Sequence, residues 1–382
     1  MHDDLPIPLE RLTLPEQLDG RYGSNRAGAE TSQQLAADND LDAIRAWLDE
    51  FADSPRTQRH YRKEAERLLL WSLLVCHTPL SGLTREDCRQ YQTFLADPQP
   101  QSQWCGPRAP RFSERWRPFA GPLSPASQRT ALLVLNSLFS YLVEAGYLAG
   151  NPLSLMRRRQ SVQPEPQVER YLEQDQWQAL LTTLDTLPQD TRREQCHYER
   201  TRFLVTLLYL MSPRISEVAG HTMGSFRQIR GRWWWQVTGK GGRTGRVPVN
   251  QQMLAALQRY RQFMGLTPLP YPDEQTPLIL SLGGKKAIGD NMIYRIIKDL
   301  LGQAAERTAD TDPVGAERLR RASTHWFRHT SITHQAGAGI ELDHLRRNAR
   351  HARMETTGLY LHSEEADWHQ AMERHRMPDP ES

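Results

Sequence analysis

Apolar residues recur three and four apart along much of the chain, the spacing that lines one face of an α-helix. From Leu41, the positions Ile44, Trp47, Leu48 and Phe51 keep that spacing until Pro55 interrupts it. Thr57 to Val75 then predicts a longer helix, with Tyr61, Ala65, Leu68, Leu69 and Ser72 near one face and Arg56, Arg59, Arg62 and Lys63 beside them. Thr84 and Asp87 stand at capping-box spacing before a helix through Tyr91 and Phe94, although Glu or Gln more usually fills that last position. Ser127 to Tyr147 predicts another helix, closed by Gly146 and Asn151-Pro152. Two stretches break the rhythm. Residues 1–34 are polar, with prolines and glycines but little periodicity, and read as a flexible arm. Residues 97–127 are proline-rich and carry Trp104, Arg108, Arg111, Phe112, Arg115, Trp116 and Arg117; an insertion that long without periodicity is expected to be functional or disordered.

Met156 to Arg170 holds a basic triplet, two prolines and almost no apolar side chains, the composition of an exposed connector, so a linker is placed over 159–170. Beyond it, helices are predicted from Asp175 and over Arg200–Met211, Gln251–Met264, Asp290–Arg307, Arg328–Ala336 and Leu342–Asn348, with a last one through Asp367–His375. Between Arg227 and Val249, the runs WWWQV, GKGGRTG and RVPV replace the helical spacing, and two or three short antiparallel strands fit there. The expected fold is mainly α with a small antiparallel β-sheet. Its parts are an arm over 1–34, a helical domain over 35–158 containing the 97–127 insertion, the linker, and a mixed α+β domain over 171–382.

Composition narrows the class. With 382 residues, two or three domains of about 100–200 residues are allowed. Hydrophobic residues make 38% and charged residues 24%, which excludes a disordered chain, and no apolar run nears the ~20 residues that span a bilayer. The opening MHDDLPIPLE places acids where a secretory signal carries basic residues, so a cytoplasmic location is expected. Cys76, Cys88, Cys105 and Cys196 contain no C-x-x-C pair and are expected to be reduced thiols without redox or zinc chemistry. The net charge is only +3, from 48 Lys and Arg against 45 Asp and Glu, so charge alone favours nucleic acid weakly. Arginine far outnumbers lysine; its planar fork suits phosphate oxygens, but high-GC coding gives the same bias.

Candidate chemistry lies in four segments. In Arg214-Ile-Ser-Glu217 a glutamate three residues on can orient a guanidinium in a cleft, although most such pairs are surface ion pairs. Thr238-Gly-Lys240-Gly-Gly-Arg243 reads as a hairpin tip that carries Lys240 to a ligand or merely into solvent. His325 and Arg328 are three apart and can face one target together. His351 and Tyr360 would lie on opposite faces of one unbroken helix, about 13 Å apart along its axis, so their cooperation requires a break that Thr356 or Thr357 can supply as an N-cap. A metal site from His325, His329 and His334 with His344 and His351 is a further reading, because His325 and His329 stand at i, i+4.

Together these segments resemble the tyrosine recombinase, or phage integrase, family. Its motifs run in the order arginine in an R-x-S-E segment, hairpin lysine, H-x-x-R, a second histidine and, nine residues later, a tyrosine; Arg214-Ile-Ser-Glu217, Lys240, His325-x-x-Arg328, His351 and Tyr360 match each. The resemblance runs from about Leu41 to His362, since the family also has a helical DNA-clamping domain that often closes in a Tyr-Leu-x-x-Asn-Pro segment like Tyr147–Pro152. Two places depart from it. Many members have Leu-Gly-His where this chain has Ala349-Arg350-His351, and a glycine-containing approach where Ser212-Pro213 precedes Arg214.

The resemblance implies a helical core-binding domain, a mixed α+β catalytic domain, and site-specific cleavage and rejoining of DNA through a 3′-phosphotyrosine, for integration or excision of a mobile element. It implies that Arg214, Arg328 and His351 hold the phosphate oxygens, Tyr360 attacks, His325 is the base, Lys240 the acid and Glu217 a support. The implied partners are duplex DNA, four protomers on two sites, and accessory bending or directionality factors, with no membrane, metal or cofactor. Arg56, Arg59, Arg62, Lys63, Arg108, Arg111, Arg115, Arg117, Arg243 and Arg350 are the expected DNA contacts. The rivals are a type IB topoisomerase-like enzyme, which relaxes supercoils by the same chemistry, and a non-catalytic DNA-binding architectural protein.

Overall fold

A computed structural model of the chain describes residues 5–350 except 29, 156–169, 240, 241, 243 and 285. The chain divides into two compact units, Met1–Val162 and Gln163–Ser382.

The first unit is helical. Helix α1 (Asp40–Asp49) is capped by Asn39, whose side chain accepts the Asp42 N–H. Helix α2 (Pro55–Leu74) begins at the proline that interrupts the preceding spacing, because a residue with no N–H costs nothing in a first helical turn. Thr84 and Asp87 close a reciprocal capping box at the start of α3 (Arg85–Ala96), so the shorter aspartate also reaches. A single turn, α4 (Gln101–Trp104), precedes α5 (Pro125–Glu144), and Gly146 turns the chain out of α5 at φ +69°. The core between them holds Trp47, Trp71, Leu69 and Leu138, with Trp47 stacked on Tyr61 at 5.2 Å.

One expectation for this unit is corrected, and of the two readings of the insertion disorder is set aside. The polar look of residues 1–34 conceals an apolar anchor: Leu9 lies in the helical core, its N–H donates to Glu66 at 2.8 Å, and Asn25 bonds both ways with Gly150. The described part of the arm is therefore packed, since its backbone groups find buried partners. The insertion packs too. Trp104 and Phe119 are buried, Cys105 and Phe119 form a bridge, and the Arg67 guanidinium lies over Phe119 while donating to the Pro118 carbonyl.

The second unit packs helices and a three-stranded sheet into one hydrophobic core. Helices α6 (Gln174–Asp185), α7 (Arg192–Met211) and the short α8 (Ile215–Gly220) lead into β1 (Phe226–Ile229), β2 (Arg232–Thr238) and β3 (Thr244–Pro248). The strands are antiparallel in the order β1-β2-β3, with Trp235 opposite both Phe226 and Val247. These three residues, with Val237, face the core, and alternate residues face outward as the two-residue period requires. Helices α9 (Gln251–Phe263), α10 (Asp290–Thr308), α11 (Pro313–Arg321), α12 (Thr324–Gly337) and α13 (Leu342–Ala349) complete it. Sequence periodicity overlooks α11 because Arg318, Arg320 and Arg321 crowd its last turn, yet Asp312 caps it and Ala316 and Leu319 are buried. Helix α7 starts eight residues earlier than its apolar spacing predicts, at a Thr191–Glu194 capping box. No helix among the described residues is long and apolar enough to cross a membrane.

Candidate active site

Helix α7 ends at Ser212 in the left-handed conformation, φ 47° and ψ 42°. Pro213 follows, and Arg214 becomes the N-cap of α8. The Arg214 N–H donates to Glu217 Oε2 at 2.7 Å, and its Nη1 donates to Oε1 at 3.1 Å. The Glu217 side chain is only 3% exposed, whereas that of Arg214 is 46% exposed. Burial raises the Glu217 carboxyl, but Arg350 and then Arg214 outweigh it and hold the group below its ordinary value. The pair foreseen from spacing is thus a buried acid orienting a half-exposed guanidinium.

Helix α12 brings the second group. Arg328 is 2% exposed; its Nη1 donates to the Ser212 carbonyl at 2.5 Å and its Nη2 to the Ala349 carbonyl. These bonds tie together the ends of α7 and α13. The Ser212 and Ser331 hydroxyls lie 2.6 Å apart, fixing the same turn. His325, one turn before Arg328, stands on the exposed side of α12 with its ring edge-on to His329 at 4.5 Å. Desolvation and then the charges of Arg328, Arg170 and Arg214 hold His325 below its ordinary value, so the ring is neutral at pH 7 and able to take a proton.

Arg350 does not reach toward solvent as a phosphate contact. Its side chain is 11% exposed and donates to Glu217 Oε2, so the reading of Arg350 as a DNA-binding residue is corrected: the buried carboxylate recruits it. Both departures from the family's glycines, Ser212 and Arg350, adopt left-handed backbone. That conformation costs a residue with a Cβ about 1–2 kcal/mol, offset here by the Ser331 hydroxyl and the Glu217 carboxylate respectively.

Sequence reasoning overlooked His221, which has no motif around it. The Thr238 N–H donates to His221 Nε2 at 2.9 Å, so the ring proton is on Nδ1, 2.6 Å from the Glu217 carbonyl. The residue thereby clasps the end of β2, two positions before Lys240, to α8. His334, considered above as a metal ligand, is occupied by the Tyr209 hydroxyl at 3.0 Å and the Leu172 carbonyl at 3.1 Å. No group of three or more potential metal ligands occurs among the described residues.

The structure therefore joins Arg214, Glu217, His325, Arg328 and Arg350 around one turn. Lys240, Arg243, His351, Tyr360 and the predicted Asp367–His375 helix lie outside the described residues. In the first unit, the expected DNA contacts divide. Arg111 is held between Glu10 and Glu66, and Arg117 donates to the carbonyls of Ser102, Glu114 and Trp116, so both brace their own unit. Arg62 pairs with Glu10, Lys63 with Glu64, and Arg59 donates to the Pro55 carbonyl. Arg56, Arg108 and Arg115 are exposed.

Residues 170–367 match the model of the phage integrase family. The tyrosine recombinase XerC of Pelobacter propionicus is 24% identical over 277 residues, covering 72% of this chain and 82% of that protein. Among solved structures, the XerH site-specific recombinase bound to its difH substrate aligns with a TM-score of 0.57 and 16% identity, over 96% of this chain and 99% of that one. The Tn1549 transposon integrase in complex with transposon right end DNA aligns with a TM-score of 0.58 and 15% identity, over 87% and 98%. The fold is that of a recombinase with a helical unit and a mixed catalytic unit. The chain belongs to the phage integrase family, the tyrosine recombinases, enzymes that break and rejoin DNA strands.

Proposed function

We propose that this enzyme integrates or excises a mobile DNA element through a 3′-phosphotyrosine formed by Tyr360. The observation that carries the reading is the meeting of Arg214, Glu217, His325 and Arg328 at one turn, from four positions that the sequence separates by up to 114 residues. A DNA phosphodiester resists attack because its anionic oxygens repel a nucleophile and its alkoxide leaves poorly. The permanent charges of arginine answer the first difficulty: Arg214 offers a half-exposed guanidinium and Arg328 a second, and His351 completes the cradle as a hydrogen-bond donor to a phosphate oxygen. An unperturbed tyrosine has a pKa near 10, so only about one in a thousand would be ionised at pH 7, and a tyrosine nucleophile needs a base. Neutral His325 takes that proton as the Tyr360 oxygen bonds to phosphorus. The P–O5′ bond breaks, and Lys240 protonates the departing 5′ oxygen. The phosphotyrosine keeps the energy of the broken ester, so a second 5′-hydroxyl displaces it and reseals the strand without ATP.

The helical unit is proposed as the DNA clamp, touching phosphates through exposed cations such as Arg56, Arg108 and Arg115. The partners are duplex DNA, three further copies of the chain on two DNA sites, and bending or directionality factors. The DNA-bound recombinase and transposon integrase that share this fold support that choice. Covalent trapping in the native cell, followed by sequencing of the attached DNA, tests it. An adduct that maps to element ends and disappears in Tyr360→Phe is expected. Relaxation of supercoils without exchange between two sites would establish the topoisomerase-like reading, and DNA binding with no adduct under any condition the architectural one.

A further inference from the structure

Glu217 carries a guanidinium on each of its oxygens: Arg214 on Oε1 and Arg350 on Oε2. A lone Arg214–Glu217 pair has no net charge, and a carboxylate 3.1 Å away cancels much of the field that Arg214 would present to a phosphate. A second cation on the same carboxylate returns the trio to a net charge of +1. Arg350 is built into that place. Its side chain passes over Gly245 of β3, where a Cβ would lie only 3.1 Å from Arg350 Cδ. Its guanidinium carbon is 6.0 Å from the centre of the Trp235 ring, and Nη1 donates to the Asn348 carbonyl at 3.2 Å. The turn it braces is the one from which His351 follows in sequence.

We propose that Arg350 is a positioning residue for phosphate binding: as the buried counter-ion of Glu217 it leaves the charge of Arg214 to the scissile phosphate. The role rests on the recombinase reading above, and it assigns an electrostatic purpose to a residue standing where many relatives carry glycine. It predicts that Arg350 is dispensable once Glu217 is uncharged, which a mere brace would not be.

The test compares full-length wild type with Arg350→Lys, Arg350→Met, Glu217→Gln and the Arg350→Met/Glu217→Gln double variant. The readout is single-turnover formation of the covalent adduct on a nicked suicide duplex, with a thermal melt of each protein. Arg350→Met is expected to slow the adduct about 10- to 100-fold, as a displaced charge near the reacting atoms does. Arg350→Lys should keep most of the rate, and the double variant should be faster than Arg350→Met. A wild-type rate in Arg350→Met would overturn the proposal, as would a double variant slower than Arg350→Met. Equal slowing in the Lys and Met variants, with equally lowered melting, would reduce Arg350 to a brace and overturn it too. The same substitutions in a Tyr360→Phe background are titrated with a mixed-sequence duplex. There Arg350→Met should weaken binding and lessen its salt dependence, and Glu217→Gln should restore both. If wild type makes no adduct while this binding pattern holds, the recombinase reading fails and the counter-ion role stands; if the pattern is absent, the counter-ion role fails by itself.

Discussion

Arg328 donates to the Ser212 carbonyl at 2.5 Å, so the arginine of the His-x-x-Arg segment holds the turn that presents Arg214 two residues later. The bond makes one guanidinium serve both geometry and charge, because Arg328 also reaches the Ala349 carbonyl at the end of α13. A lysine keeps the charge but has no planar fork, and it cannot serve two carbonyls on opposite sides. Arg328→Lys should therefore slow adduct formation by about 100-fold or more, with a lowered melting temperature. A rate within a few-fold of wild type on a suicide duplex would show that charge alone matters at this position.

The acid limb of the pH–rate profile should report His325. Its pKa is depressed, so the neutral base persists below the ordinary value of about 6.5 and the rate should fall only under that pH. Arg170→Ala removes one of the charges that depress it and should move the limb upward, measurable in single-turnover rates between pH 5 and 7. An unmoved limb would assign the titration to another group.

Stability should follow pH in the same direction. His197, His325 and His334 are all held below their ordinary value, chiefly by burial, so the unfolded chain binds protons that the folded chain does not. Stability contributed by these groups is complete above about 6.5 and declines as pH falls below it. Denaturant melts of the intact chain at stepped pH check the sign.

Within the first unit, Arg111 and Arg115 should separate cleanly. Glu66 is 1% exposed, and Arg111→Ala leaves its carboxylate with the Leu9 N–H as its remaining donor. A loss of about 2 kcal/mol in unfolding free energy is expected, less than for a fully buried pair because Arg111 is partly exposed. Arg115→Ala should leave stability within about 0.5 kcal/mol and weaken DNA binding at low salt. Chemical denaturation and a salt titration of DNA affinity distinguish the two.

The pair Arg261–Glu274 predicts a larger effect. Both are almost fully buried, 2.8 Å apart, and Arg261 also donates to the carbonyls of Thr267 and Leu269. Glu274→Ala should cost about 3–5 kcal/mol by leaving a buried cation uncompensated. A loss under about 1 kcal/mol in equilibrium unfolding would mean that the carbonyls suffice.

Much of the site was legible as spacing. The three-residue intervals Arg214–Glu217 and His325–Arg328 each describe one turn of backbone, and local geometry needs no distant partner. The capping boxes at Thr84 and the strands around Trp235 were legible for the same reason. The packing of Leu9 and Asn25 was not, because they find their partners at Glu66, Ser81 and Gly150, far away along the chain. Arg350 misled for a related cause: an arginine beside a catalytic histidine looks like a phosphate ligand until the buried carboxylate that claims it is seen.

The order of residues by itself determined the family and the chemistry available, since the motif intervals and the helical and strand periods are properties of neighbouring positions. Tertiary structure alone decided which charges are free. Arg111 and Arg350 are spent on carboxylates brought from other segments, whereas Arg214 keeps half its surface open. Whether a cation reaches a ligand depends on the field of every group folded around it, and that sum is written only in three dimensions.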